Sequence, residues 1–212
     1  MNRLFDVSSL SRVLVIGAHP DDVELGAGGL VARLTRAGKR VMMVVVSAPT
    51  ETGERIIEAH RAAALLGAEV QLLFGAEPIR VEDVPMHQLV RLLDAVLGNE
   101  QPELVITHSS RDLHWDHRLV HQATISSLRR TPCDLLAFTS TPELNAASNF
   151  LGQGFADISD SLEVKLAAVG AHATQVAKGS VDVESCRDLA RALGRLSGVR
   201  YAEAYEVLRL RL

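Results

Sequence analysis

At 212 residues the chain is long enough for one α/β domain with a sizeable core. Apolar residues make up 47% and charged residues 23%, and the formal charge is -4, so nothing in the balance calls for nucleic acid or an anionic membrane as partner. The densest apolar run, 41–46, is far short of the roughly 18 residues of a membrane span. No signal-peptide pattern stands at the N-terminus, and Cys133 and Cys186 form no CxxC pair, so reduced thiols in a cytoplasmic protein are expected.

Strand-like and helix-like runs alternate along the chain. The apolar run 13–17 reads as a first strand, and 24–36 as a helix stopped by Gly38. A second strand is expected over 40–47, apolar and β-branched, as in strands buried on both faces. A helix over 54–66 ends at Gly67, and 69–74 reads as a third strand. The spacing of Leu89, Leu92, Leu93 and Val96 predicts a helix over 86–97. Further strands are expected over 104–107 and 134–138, with a helix over 116–128 between them. The stretches 162–177 and 184–196 read as helices, and 201–210 as a last strand. This order predicts a single domain over 1–212 with a Rossmann-like α/β fold, a mostly parallel sheet and helices on both faces. The dinucleotide fingerprint GxGxxG is missing, because Gly17 is followed by Ala18-His19-Pro20. Gly26, Gly28 and Gly29 are expected to let the first helix pack closely on the sheet.

Two loops carry the chemistry. The first is His19-Pro20-Asp21-Asp22, directly after the first strand. In open α/β sheets, ligands sit beyond the carboxyl ends of the strands. A lone Asp there caps a helix, and Asp22 has that bland reading, but a cap explains neither His19 nor the second Asp. The second loop follows the fourth strand and runs from His108 to His117, with His121 one turn on. Four of the eight histidines fall in this stretch, with Asp112 and Asp116 among them. His19, Asp22 and one histidine of the second loop would make a three-ligand metal site with an open position. Spacing leaves that histidine open: His114 and His117 are three apart, His117 and His121 four apart. The HExxH pattern is absent, since Arg118 follows His117.

The stretches AHPDDVELGAGG and DLHWDH resemble the zinc-dependent N-deacetylase family of bacterial LmbE-like proteins and eukaryotic N-acetylglucosaminyl-phosphatidylinositol (PIG-L) deacetylases. Arg55 to Gly67 is similar to the family's RxxExxxAxxxLG helix. Asn149-Phe150, Asp157-Ile158-Ser159, Lys165 and His172-Ala173-Thr174-Gln175 resemble its late NxFxDIS…K…HxSQ region, and Ala202 to Tyr205 its closing AEAF. The resemblance implies one zinc ion held by His19, Asp22 and His117, with another divalent metal as an alternative. It implies Asp21 as general base, His114 as stabiliser of the oxyanion with Asp116 orienting it, and Arg55 near the substrate carbonyl. The implied reaction removes the N-acetyl group from an N-acetylglucosamine-type sugar or small glycoconjugate, using water activated by the metal. A homo-oligomer is expected by the same analogy. Arg55 has the bland alternative of pairing with Glu51 or Glu58, and Asp116 that of an N-cap. Trp115 stands where relatives usually carry Pro; it either lines the pocket rim and stacks on a sugar or only covers the helix start, and His172 either closes over the site to reach the substrate or packs. His108 and His121 are expected behind the ligands or on the surface. The loop 47–53 is shorter than the family's usual one, which leaves another N-acylated small molecule, such as a thiol conjugate or natural product, as the alternative substrate. A metal-binding protein without catalysis is the remaining alternative.

Overall fold

The computed structural model describes residues 10–140 and 150–211; Asn149, in the late motif, and the extreme N-terminus lie outside them. Among the described residues seven strands form the order β3-β2-β1-β4-β5-β7-β6. The first five are β1 (Arg12–Gly17), β2 (Arg40–Val45), β3 (Glu69–Leu72), β4 (Leu104–His108) and β5 (Asp134–Phe138), all parallel to their neighbours. β7 (Ala202–Arg209) runs antiparallel to β5, and β6 (Gly154–Asp157) antiparallel to β7. Helices α1 (Asp22–Arg36), α2 (Thr52–Leu66), α3 (Met86–Glu100) and α4 (Trp115–Ser127) connect the parallel strands. Helices α5 (Leu162–Gly170), α6 (Ala173–Ala177) and α7 (Val183–Ser197) fill the span between β6 and β7.

The alternation of side chains along β1 explains why both faces are apolar. Val13 and Val15 pack with Leu30, Val31, Ala62 and Leu66 of α1 and α2. Leu14 and Ile16 point the other way, into Leu89, Leu93 and Val120 of α3 and α4. Helices on both faces follow as expected. A smaller core of Ile158, Leu162, Leu166 and Tyr201 sits under α5 and α7.

α1 lies so close to its neighbours that side chains would not fit. A Cβ at Gly26 would fall 2.0 Å from the Phe138 ring, and one at Gly29 would fall 2.7 Å from Ile158. A buried ion pair reinforces the contact. Lys165 Nζ donates to Glu203 Oε1 and to Leu25 O, both at 2.7 Å. Glu203 also accepts from the N–H groups of Gly29 and Leu30 and from the Tyr205 hydroxyl, so its carboxylate is fully occupied.

Two features depart from the sequence reading. The expected helix 162–177 is two helices, broken after Gly170, where His172 takes a non-helical backbone conformation (φ -80°, ψ 60°). β6 was not expected; four residues are too few for a period to show. Among the described residues no helix is long and apolar enough to cross a membrane.

Candidate active site

The parallel strands deliver three loops to one edge of the sheet. β1 ends in 18–21, β4 in 109–114, and β5 in Thr139-Ser140. β1 and β4 are adjacent in the sheet, with α1 and α4 leaving on opposite faces, so the order reverses there and a crevice opens. A cavity of about 560 Å³ lies at that point, floored by His19, Asp21, Asp22, His114 and His117.

Asp22 is the hub. As the first residue of α1 its carboxylate is buried, accepting from His19 N–H at 2.7 Å and from Ser140 Oγ at 2.8 Å. Three imidazoles surround it: His117 Nε2 at 3.2 Å, His108 Nε2 at 3.3 Å and His19 Nδ1 at 3.7 Å. Burial raises its pKa, but His117 and His108 outweigh burial and hold the carboxyl well below the usual range. Burial pulls His117 down, yet the carboxylates of Asp22 and Asp112 push it up to about 10. Burial, then the neighbouring His117, pushes His108 down to about 4.

Asp112 was not among the expected site residues. Its Oδ2 lies 3.0 Å from His117 Nδ1 and directs the other nitrogen of that ring towards Asp22. The signal available was only its place two residues before His114 in the histidine loop. His108, expected behind the ligands or on the surface, is fully buried and stacks on His117 at 4.0 Å. His121 Nδ1 lies 2.7 Å from the His108 carbonyl.

His114 caps α4. Its Nδ1 accepts from the Asp116 backbone N–H at 3.2 Å, so the N-cap considered for Asp116 belongs to His114 instead. The Asp116 carboxylate turns to His19, with Oδ2 3.0 Å from Nε2, and only its main chain touches His114. Burial, then His117 and His19, lowers the pKa of His114 and favours the neutral ring.

Asp21 occupies a backbone conformation rare for a side-chain-bearing residue (φ 102°, ψ -31°). Arg55, buried on α2, holds it there: Nη2 donates to Pro20 O at 2.6 Å and to Asp21 Oδ2 at 3.2 Å. Neither Glu51 nor Glu58 takes that guanidinium; Glu58 binds Thr174 and Glu51 pairs with Lys178. Burial, then the adjacent Asp22 charge, pushes Asp21 up to about 7 against the pull of Arg55.

Trp115 lies on the cavity rim, 49% exposed, with the Arg118 guanidinium 4.8 Å from its ring centre. His172 is different. It is fully buried, does not line the cavity, and sits with Nε2 3.1 Å from Glu24 Oε1, so the structure does not bring it to where a substrate would lie.

Two groups of donor atoms lie within 4.8 Å of one another: Asp22, His108 and His117, and His19, His114 and His117. The expected set of His19, Asp22 and His117 spans both. His19 and His117 bring imidazole nitrogens to the buried Asp22 carboxylate, whereas His108 Nε2 already accepts the Ala18 N–H at 3.0 Å; two imidazoles and one carboxylate make a donor set suited to a borderline divalent cation.

The profile of the PIG-L family, GlcNAc-PI de-N-acetylase, matches residues 14–128, more than half of the chain and both histidine loops. The diacetylchitobiose deacetylase of Thermococcus kodakarensis is 30% identical over 227 residues, covering 92% of this chain and 82% of that protein. An Escherichia coli protein named as the uncharacterized deacetylase YaiS is 29% identical over 188 residues, covering 81% of this chain and 99% of that one. Among solved structures, the 4-carboxy-2-hydroxymuconate hydratase of Pseudomonas putida KT2440 superposes with a TM-score of 0.77 at 24% identity, covering 95% of this chain and 98% of that chain. At that identity the likeness is one of fold, and it shows that this architecture also carries other reactions.

Proposed function

The chain belongs to the PIG-L family of de-N-acetylases, and from that premise we propose that it releases acetate from an N-acetylglucosamine-type sugar or a small glycoconjugate carrying one. The observation that carries this reading is the meeting of three devices at one cavity: the Asp22 hub, the Asp21–Arg55 pair and the free edge of His114. The diacetylchitobiose deacetylase named above supports the sugar as substrate.

His19, Asp22 and His117 are the residues that would hold zinc, with Asp112 behind His117 and Asp116 behind His19. The chemistry zinc supplies when bound is Lewis acidity, which makes water nucleophilic near neutral pH and polarises the amide carbonyl. Asp21 accepts the proton of the attacking water. Its Oδ2 is tied to Arg55, so Oδ1 is the free base. Arg55 acts through Asp21, holding both its carboxylate and the Pro20 carbonyl that precedes it. His114 stabilises the developing oxyanion. Its Nδ1 accepts from Asp116 N–H, so the proton of the neutral ring lies on Nε2, and Nε2–H is the donor it offers. Trp115 lines the entrance and presents an indole face to the sugar. The buried thiols of Cys133 and Cys186 suit a reducing cytoplasmic setting.

The test is acetate release from a panel of N-acetylglucosamine derivatives by metal-stripped protein reloaded with zinc, beside Asp21→Asn. Removing a general base is expected to lower kcat about 10²- to 10⁴-fold while one equivalent of zinc still binds. No release from any panel member by zinc-loaded wild-type protein would overturn the reading.

A further inference from the structure

Gln175 also lines the catalytic cavity, although it belongs to none of the devices above. It sits on α6, the short helix that starts after the break at His172. Two contacts fasten that helix to the core. His172 reaches Glu24 of α1, and Thr174 is clasped by Glu58 of α2. Glu58 Oε1 accepts the Thr174 N–H and Oε2 accepts the Thr174 hydroxyl, both at 2.7 Å.

This clasp has a direction. A carboxylate only accepts, so the Thr174 hydroxyl hydrogen is committed to Glu58. Thr174 Oγ1 then has only lone pairs left for Gln175, which lies 3.1 Å away. The nitrogen end of the Gln175 amide must therefore face Thr174. Its Oε1 takes no hydrogen bond from the described residues, and it is not among the buried polar atoms left without partners. The main chain of Gln175 is pinned as well: its N–H donates to His172 O, and its carbonyl accepts from Ser180 and Val181. The outcome is an acceptor of fixed orientation on a wall of the cavity separate from the loops of Asp21 and His114.

We propose that Gln175 is a specificity residue that accepts, at Oε1, a hydrogen bond from a ring hydroxyl of the N-acetylated amino sugar. Glu58 and Thr174 are positioning residues that decide which end of the amide is presented. The inference rests on the deacetylase reading of the cavity.

Steady-state kinetics of the zinc-loaded enzyme test it with two variants. Gln175→Met keeps the length and removes the acceptor. Glu58→Gln lies outside the cavity; its amide can donate to Thr174 Oγ1, free the hydroxyl hydrogen for Gln175, and so turn the Gln175 amide over. Each is expected to raise KM about three- to tenfold with kcat within about twofold, the size of one neutral hydrogen bond. A deoxy analogue lacking the recognised hydroxyl should show the same KM in wild type and in Gln175→Met. An unchanged KM in Gln175→Met for every substrate the wild type hydrolyses would overturn the proposal and leave the deacetylase reading intact. Calorimetric titration of N-acetylglucosamine into Asp21→Asn and into Asp21→Asn/Gln175→Met makes the comparison without turnover. Weaker binding by the double variant supports the proposal even if no substrate is hydrolysed; equal binding, or none by either, overturns it.

Discussion

Asp22 and His117 form an ion pair in the metal-free protein, and their titrations set opposite limits on its stability. Asp22 has a folded pKa below its ordinary 3.8, so its contribution is present above that value and lost as the pH falls further. His117 has a folded pKa raised to about 10 from 6.5, so its contribution is full below 6.5 and disappears as the pH rises towards about 10. Between these limits the pair is intact. The gap in melting temperature between metal-free wild type and His117→Gln should be widest near pH 5 and should shrink steadily from pH 7 to pH 10. A gap that widens with pH would contradict this. Loading a metal takes the same nitrogen, so it must expel the proton, and affinity should rise with pH over the same range.

At the scale of elements, α1 carries the hub carboxylate at its first residue and meets the Lys165–Glu203 pair with the backbone of Leu25, Gly29 and Leu30. That pair is an internal joint between α1, α5 and β7. Lys165→Met would leave Glu203 buried without its counter-charge, and a loss of about 3–5 kcal/mol in urea unfolding is expected. A loss under about 1 kcal/mol would mean that the N–H groups of Gly29 and Leu30 suffice to hold the charge. The first five strands and α1 to α4 were legible in the sequence because apolar periods and glycine stops report directly on burial. The break between α5 and α6 was not legible: 162–177 keeps helical composition across Gly170, while the contacts beyond the turn, His172 with Glu24 and Thr174 with Glu58, join residues far apart in sequence. The candidate site was legible in its loops but not in its partnerships. His19, Asp21, Asp22, His114 and His117 stand in short motifs. Asp112 and Glu58 act only through residues that folding brings beside them. The carboxylate of Asp116 was expected on His114 and is found on His19, because the helix cap places only the Asp116 main chain against His114.

For the molecule as a whole, the sheet order places the cavity where β1 and β4 diverge, above a core that is complete without it. The three apolar clusters pack against the sheet faces and under α5 and α7, and none includes a residue of the His19–Asp22–His117 set. Removing the metal should therefore leave the far-ultraviolet dichroism unchanged. It should lower the melting temperature only by the binding free energy withdrawn, about 4 kcal/mol at a thousandfold excess of zinc over its Kd. A melting temperature that climbs with zinc concentration checks this; loss of secondary structure on chelation would refute it.

The backbone of Asp21 carries an evolutionary consequence. A side-chain-bearing residue at φ 102° costs on the order of 1–3 kcal/mol, and glycine would relieve that strain. In an Arg55→Met background, where no buried guanidinium is left without its carboxylate, Asp21→Gly should thus raise the melting temperature while releasing no acetate. With Asp21 as the proposed general base, stability and turnover pull this position in opposite directions, and selection for hydrolysis would keep the aspartate in place. A lineage released from that demand would drift first here, towards a sturdier protein that still grips a metal and still admits a sugar, but leaves the sugar intact.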